Sequence, residues 1–274
     1  MIATVRSPYS TIEVLERGRV RTLAFVQDGG TRWPQTVLDL DRPHEPAMPY
    51  LRGMALSLAY VPKARAALVV GLGGGAAVHL LRRLAPGVRI VGIEIDPAVV
   101  RLARAYFALP DDADIQVVVG DALDVVPTSQ DRFDLVWMDV FLDPSAPGTN
   151  ASGIPRGTTT EAFLRTLAAR VRRGGVAVFN LHHKSGFSAH LAAIERAFGH
   201  VHVYAVPGTG HRIVVAATEP LPGPAALARR ARRIDERTAR GTPPSSLRLA
   251  PLLRHRLPTG DDPNRAPDPR IRRP

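Results

Sequence analysis

The sequence contains no cysteine, which excludes disulfide bonds and thiolate chemistry and leaves only histidine and carboxylate ligands for a zinc site. It also lacks any apolar run approaching ~18 residues without a charge, so the pattern predicts no membrane-spanning helix. Residues 1–10 have no signal-peptide core. From these absences we expect a cytoplasmic protein that contacts no membrane and holds no metal ion.

Lysine occurs only twice, so the net charge of +11 is carried by arginine. The charge is uneven: residues 221–274 hold 13 arginines against five acidic residues, and the rest of the chain carries only +3. The basic isoelectric point therefore does not by itself indicate a nucleic-acid-binding fold. Residues 225–240 could form a basic helix, and residues 241–274 are rich in proline and arginine with few apolar anchors. We expect a disordered tail, with a nucleic-acid or partner-binding arm as the alternative.

The strongest pattern in the chain spans residues 67–97. Residues 67–70 are apolar without alternation, which is typical of a parallel strand covered on both faces. Three glycines follow at alternate positions: Gly71, Gly73 and Gly75. Glycine is needed where the backbone turns tightly and a ligand approaches more closely than a Cβ allows. Good helix formers come next, so the turn lies at a helix N-terminus.

An acidic residue, Glu94, ends the next strand about 20 residues beyond the glycines, where a carboxylate could accept both hydroxyls of a ribose. The order of strand, turn, helix, strand and acid predicts the nucleoside-binding half of a Rossmann-like fold. The spacing does not distinguish a dinucleotide from S-adenosylmethionine, and a unit of this kind that binds neither stays open.

Two more acids follow predicted strands of the same sheet. The strand at 115–119 leads into Asp121 and Ala122, where a carboxylate can accept the exocyclic amine of an adenine. The next strand delivers Asp139 to the carboxyl edge, where open parallel sheets place their chemistry.

The remaining pattern divides the chain into three parts. Residues 1–45 contain three alternating runs separated by turn residues, which predicts a small antiparallel β domain. Residues 46–219 continue as alternating helices and strands, beginning with a helix at 46–61 and ending in a hairpin around 207–210. Residues 220–274 form the basic tail. The predicted fold class is α/β.

Several motifs carry a resemblance to a known family. They are DGG at 28–30, PYLRGM at 49–54, VVGLGGG at 69–75, GIEIDPAVV at 92–100, VVGDA at 118–122, DLVWMD at 134–139 and IPRGTTTEAF at 154–163. The chain resembles, over about residues 10–218, the spermidine-synthase-like branch of class I S-adenosylmethionine-dependent transferases. The resemblance implies a seven-stranded, Rossmann-like methyltransferase-type sheet after the small β domain. It also implies polyamine biosynthesis, with S-adenosylmethionine or decarboxylated S-adenosylmethionine as co-substrate.

The resemblance further implies which residues hold the co-substrate. The three glycines would line its tail, Glu94 would hold the ribose, and Asp121 with Ala122 would hold the adenine. Gln35 and Tyr50 would approach from the N-terminal side.

Asp139 matches the acid that activates the attacking amine in the aminopropyltransferases of this family, although a strand-end acid that caps the following loop is the alternative. Other positions depart from that pattern. Gly74 stands where the family carries an acid that grips the amine of the decarboxylated co-substrate, and Arg52 stands where it carries a glutamate. Leu142 occupies the place of a second amine-holding acid, which Asp143 recovers only with a one-residue slip. The diamine half of the pattern is therefore eroded.

The leading interpretation is a spermidine-synthase-like transferase that acts on a small-molecule acceptor, an amine if the family chemistry is retained. Because Gly74 supplies no charge beside the turn, methyl transfer from intact S-adenosylmethionine is the alternative. A nucleoside-binding protein without catalysis is a third interpretation. A nucleic-acid partner is expected only through the tail, and a homodimer is left open.

The segment His182–His183–Lys184 follows the fifth predicted strand of the sheet. Adjacent side chains of an extended chain point to opposite sides, so the two histidines cannot easily ligate one ion. We expect a loop or supporting role for them.

Overall fold

The structure is a computed structural model that describes residues 1–27, 29–144, 146, 148–183, 186–241 and 244–258. Asp28 of the DGG motif, Lys184 and residues 259–274 of the basic tail lie outside the described residues. In the part that is described, no helix is both long and apolar enough to cross a lipid bilayer.

The N-terminal part is a four-stranded antiparallel sheet. Its strands, in spatial as well as chain order, are β1 (Ala3–Arg6), β2 (Thr11–Arg17), β3 (Val20–Val26) and β4 (Arg32–Asp39). Alternate residues of β2 are buried, with Ile12 and Val14 fully covered, as the sequence pattern predicts. The edge strand β1 is not among the predicted strands; its four residues alternate only between partly buried and exposed, and none is fully buried.

The rest of the structure is built around a mixed sheet of eight strands. They are β5 (Ala66–Val70), β6 (Arg89–Glu94), β7 (Ile115–Val119), β8 (Phe133–Met138), β9 (Val171–His182), β10 (His200–Ala205), β11 (His211–Ala217) and β12 (Arg256–Leu257). Their order is β12-β10-β11-β9-β8-β5-β6-β7. Strands β5 to β9 pair in parallel, and the three pairings at the β12 edge are antiparallel. The predicted seven-stranded sheet is confirmed, and β12 adds an eighth strand.

Eight α-helices accompany the sheet in the described part of the chain. They are α1 (Pro49–Met54), α2 (Ser57–Tyr60), α3 (Ala76–Leu84), α4 (Pro97–Tyr106), α5 (Ala122–Thr128), α6 (Glu161–Ala169), α7 (Phe187–Phe198) and α8 (Pro224–Ala239). The helix predicted over 46–61 is interrupted, because Leu56, Leu58 and Ala59 donate to carbonyls three residues back. Most of this stretch is buried, so its packing and not a single apolar stripe decides the conformation.

The parallel strands are covered on both faces. Along β5, Ala67 and Val69 join the apolar core on one face, and Ala66, Leu68 and Val70 join the core on the other. This double burial explains why β5 is a continuous apolar run in the sequence.

The course of the chain across the sheet reverses beside β5. From β5 the chain proceeds to β6 and β7 on one side, and it later returns to β8 on the other. Such a reversal opens a crevice at the carboxyl ends of the two central strands. Gly71 follows β5 directly and Asp139 follows β8 directly, so both lie at this crevice.

The C-terminal segment differs from the prediction. Residues 220–274 were expected to be a disordered tail, and this is wrong for α8 and β12, which pack on the sheet domain. Leu227, Ala231 and Ile234 form an apolar stripe at the i, i+4, i+7 spacing of a helix and are buried, as are Leu247 and Leu249. The high arginine content conceals this stripe when composition is averaged over the segment.

Two of those arginines hold α8 in place. Arg230 donates from Nη1 to the carbonyl oxygens of Ala59 and Tyr60 at the end of α2, at 3.3 and 3.1 Å. Arg237 donates to the carbonyl of Leu84 at the end of α3. The last carbonyls of a helix have no partner within it and carry partial negative charge, so a guanidinium satisfies both needs.

We predict that truncation after Glu219 strongly destabilises the protein. The four buried leucine and isoleucine side chains beyond that point each contribute about 1.5–3 kcal/mol, so the free energy of unfolding should fall by roughly 5 kcal/mol or more. Truncation after Pro258, the matched control, should leave the melting temperature close to that of the full chain. Equal melting temperatures for the two truncated proteins would contradict the packing of α8.

Candidate functional site

A cavity of about 930 Å³ lies over the crevice, between the N-terminal sheet and the carboxyl ends of the parallel strands. Eight of the nine predicted site residues line it: Gln35, Tyr50, Gly71, Gly73, Glu94, Asp121, Ala122 and Asp139. The ninth, Gly75, is the N-cap of α3 and packs against Leu109. The structure therefore brings the predicted residues together around one space.

The glycine turn and the strand that carries Asp139 are in backbone contact. Gly71 has a φ of +87°, and a Cβ at this position would collide with the carbonyl oxygen of Asp139. Only glycine satisfies both the left-handed conformation and this close approach. The turn is consequently fixed against the end of β8.

Glu94 ties the end of β6 to the same turn. Its Oε2 accepts from the backbone N–H groups of Leu72 and Gly73, and its Oε1 accepts from that of Asp96, each at 3.1 Å. Burial raises the pKa of this carboxyl, and the three hydrogen bonds act in the opposite direction. Glu94 thus shapes the cavity wall in addition to any contact with a ligand.

Asp121 is fixed by the start of α5. Its Oδ1 accepts from the N–H of Leu123 at 2.8 Å, which makes it the N-cap of that helix. The helix itself was not predicted. Its first residue, Ala122, lines the cavity beside the carboxylate.

The N-terminal sheet reaches the turn through Thr36, a residue that sequence reasoning missed. The N–H of Gly74 donates to Thr36 Oγ1 at 2.8 Å, and Thr36 is 4% exposed. A Cβ on Gly74 would lie 2.8 Å from Thr36 Cγ2 and 3.0 Å from Phe107 Cδ1. Position 74 therefore has no room for a side chain, and the missing acid of the family pattern could not be added without rearrangement.

Gln35 occupies an irregular place in β4. Leu23 pairs with Thr36 while Ala24 pairs with Pro34, so Gln35 is the extra residue of a β-bulge. Trp33 and Thr36 are three residues apart, so in a regular strand their side chains would point to opposite faces of the sheet. Because of the bulge, both line the cavity.

Asp139 is held by two side chains. Asn180 Nδ2 donates to Asp139 Oδ1 at 2.8 Å, and the Tyr50 hydroxyl donates to the same carboxylate. Burial raises the pKa of Asp139 to about 6, while these hydrogen bonds oppose the rise. The geometry provides a carboxylate that can exchange a proton near neutral pH.

Asn180 is oriented in turn by His211, and sequence reasoning missed both residues. Because the Asn180 amide nitrogen donates to Asp139, its Oδ1 accepts from His211 Nδ1 at 2.8 Å. This assignment places the imidazole proton on Nδ1. Burial, with a contribution from His182, lowers the pKa of His211 to about 4, so the ring is neutral.

Aromatic rings surround this group. The His211 ring stacks on Tyr50 with a centroid distance of 5.2 Å and meets Phe141 edge-on at 6.4 Å. On the far wall, a Cβ on Gly153 would lie 3.2 Å from Trp33 Cη2. The rings of Tyr50, Phe141 and His211 thus line the cavity in contact with one another, and Trp33 lines it as well.

The expectation about the two adjacent histidines is partly wrong. His182 and His183 do not point to opposite sides; their rings stack with centroids 5.1 Å apart, because β9 ends at His182 and the chain is no longer extended. His182 lines the cavity, and His183 Nδ1 donates a hydrogen bond to the carbonyl of Gly210. No group of three or more metal-ligating side chains occurs among the described residues.

The slip that would let Asp143 act as a second acid is not supported. Leu142 lines the cavity, whereas Asp143 is not one of the described residues that line it. The carbonyl of Asp143 accepts from the N–H of Ala146, so its backbone forms a turn of the following loop.

We predict that Gly74→Ala lowers the free energy of unfolding by about 1–3 kcal/mol, because the new methyl overlaps Thr36 and Phe107. Thr36→Ser keeps the hydroxyl and removes Cγ2, so it should reduce the cost of Gly74→Ala in a double-mutant cycle measured by urea denaturation. Gly223→Ala is the control, since a Cβ at Gly223 meets no atom within 4 Å. Simple additivity of the two substitutions would show that Thr36 does not fill this space.

Comparison with known proteins gives a consistent family match. The model of the spermine/spermidine synthase domain matches residues 51–207. A polyamine aminopropyltransferase from Vibrio vulnificus is 28% identical over 231 residues, which cover 82% of this chain and 75% of that protein.

Solved structures show the same fold. A probable spermidine synthase from Corynebacterium glutamicum superimposes with a TM-score of 0.71 at 21% identity, covering 88% of each chain. Human methyltransferase-like protein 13 in complex with SAH superimposes with a TM-score of 0.63 at 22% identity, covering 80% of this chain and 97% of that chain.

Proposed function

The chain belongs to the spermine/spermidine synthase family, and on that premise we propose that it transfers the aminopropyl group of decarboxylated S-adenosylmethionine to an amine. The observation that carries the proposal is the Asp139 carboxylate, which Asn180 and Tyr50 hold in the cavity next to the glycine turn. The relative from Vibrio vulnificus is named as an enzyme of this activity.

The cavity supplies a place for the nucleoside co-substrate. The glycine turn provides a cradle that a Cβ at Gly71 would disrupt, and Glu94 lies at the end of β6 beside it. We assign Glu94 to the ribose hydroxyls and Asp121 with Ala122 to the adenine. Gln35 and Tyr50 close the space from the N-terminal side, with Gly71 and Gly73 at the tail and Gly75 setting the turn.

Asp139 performs two steps in this mechanism. Its carboxylate first docks an alkylammonium and then accepts one of its protons, so that the nitrogen has a lone pair for attack. The bound co-substrate supplies an electrophilic carbon next to a sulfonium. Tyr50 and Asn180 keep the carboxylate in place, and its raised pKa makes it a better proton acceptor than an exposed aspartate.

We predict that Glu94→Gln weakens binding of the nucleoside about tenfold or more, since hydrogen bonds to a charged group contribute roughly 1.5–3 kcal/mol. Isothermal titration with S-adenosylmethionine and with its decarboxylated form measures the effect. Glutamine is preferable to alanine, because its amide oxygen can still accept from the N–H groups of Leu72 and Gly73, which bond to Glu94 Oε2, and only the acceptor for the N–H of Asp96 is lost. Unchanged affinity in the folded variant would remove the ribose assignment.

We also predict a pH dependence that reports on Asp139. Protonation removes the base, so kcat/KM should fall as the pH drops through about 6. Asn180→Ala removes a hydrogen bond to the charged form and should move the midpoint upward by roughly one pH unit. Asp139→Asn should abolish transfer while nucleoside binding persists. A midpoint that is unaffected by Asn180→Ala would argue that another group is the base.

Methyl transfer from intact S-adenosylmethionine is the second candidate, and Gly74 favours it. With Thr36 and Phe107 filling the space beside the turn, no carboxylate stands there to repel the carboxylate of the intact molecule. The similar human methyltransferase-like protein was solved with SAH. Incubation with each co-substrate, followed by mass analysis of the product, distinguishes the two transfers. Nucleoside binding without any product would favour the non-catalytic interpretation.

A further inference from the structure

The charges of the cavity wall are distributed unequally between its two halves. Four carboxylates line the cavity among the described residues: Glu94, Asp96, Asp121 and Asp139. The first three accept backbone N–H groups at the ends of β6 and β7, on the nucleoside side. Asp139 lies at the end of β8, on the other side of the place where the chain reverses its course across the sheet. The described wall on that side therefore offers one carboxylate to a cationic acceptor.

The surroundings of Asp139 are apolar or neutral. Tyr50 and Phe141 contact the neutral His211 ring, and Leu142 lines the cavity three residues after Asp139. Trp33 and the carbonyl of Leu142 both approach Gly153, so the tryptophan ring lies against the same loop.

Within the described part of the N-terminal sheet, the charged side chain that lines the cavity is a cation. Arg32 lines the cavity and forms an ion pair with Glu13. An ammonium is favourable in such a site only where a carboxylate offsets its desolvation. Beyond Asp139, the described wall on this side offers a second ammonium neutral groups and no carboxylate, and the Arg32 guanidinium adds a positive charge to the cavity. An apolar group would gain from burial against the rings and Leu142.

We infer that the acceptor is a primary monoamine whose carbon skeleton ends in an apolar or aromatic group, and not a diamine. This inference rests on the proposed transferase function and names the substrate class of the same site. The ammonium docks on Asp139, and the rest of the molecule lies among Tyr50, Phe141, Leu142 and Trp33.

The transfer to such an acceptor balances without another reactant. The ammonium gives one proton to Asp139, and the nitrogen lone pair forms a C–N bond with the carbon attached to the sulfonium. The electrons of the broken C–S bond remain on sulfur, which leaves as a neutral thioether. The positive charge passes to the new secondary ammonium.

A matched pair of acceptors tests the inference. Pentylamine has a methyl group where putrescine has its second ammonium, and phenethylamine tests an aromatic end. We measure the Kd of each amine for protein saturated with methylthioadenosine, and kcat/KM with both S-adenosylmethionine and its decarboxylated form. Pentylamine and phenethylamine should each exceed putrescine at least tenfold in affinity and in kcat/KM. Putrescine equal to or better than both would overturn the inference and leave the transferase function standing.

Absence of transfer to every amine from either co-substrate, with the nucleoside still bound, would instead overturn the proposed function and the inference together.

A variant of the cavity wall provides an independent measurement. Leu142→Asp places a second carboxylate in the wall and should raise the affinity for putrescine relative to pentylamine by tenfold or more, whereas the uncharged control Leu142→Asn should not. An equal effect of the two variants would contradict the electrostatic explanation of the preference.

Discussion

The close approach of Gly71 to Asp139 is the constraint on which the site depends. The N–H of Gly71 donates to the carbonyl of Ile93 and the N–H of Asp139 donates to that of Val70, each at 2.9 Å, so β6, β5 and β8 end at the same level. A side chain on Gly71 would push the end of β8 away. The glycine turn would then separate from the Asp139 carboxylate. One backbone contact thus joins the nucleoside half of the cavity to the half that holds the base.

The N-terminal sheet completes both halves from the opposite side, and the bulge at Gln35 explains how. Thr36 binds the N–H of Gly74 in the glycine turn, while Trp33 contacts the loop after β8 near Gly153. In a regular strand these two side chains would point to opposite faces. The extra residue of the bulge turns both side chains toward the same face. One strand of the small sheet therefore contacts both the glycine turn and the loop that follows β8.

The sequence allows the local parts of this site to be predicted. Glu94 and Asp139 can be found because each directly follows a strand with a recognisable apolar pattern. Asn180 and His211 cannot be found in this way, since they meet only through the pairing of β9 with β11, in which His211 lies opposite His182 and Ile213 opposite Asn180. The packing of α8 was not predicted for a different reason. Its three apolar residues are outnumbered by arginines, and an average over composition does not show that the three lie on one face of the helix.

The electrostatics of Asp139 follow from a balance that a second carboxylate would disturb. Burial favours the neutral acid, and the hydrogen bonds from Asn180 and Tyr50 favour the carboxylate, which together give a pKa of about 6. At neutral pH the group is therefore charged enough to attract an ammonium and basic enough to take its proton. Another buried acid within a few ångströms would repel this charge and raise one of the two pKa values further. The neutral His211 and the rings around it do not disturb this balance. Among the described residues no second acid stands beside Asp139, which is consistent with a base tuned for a single amine.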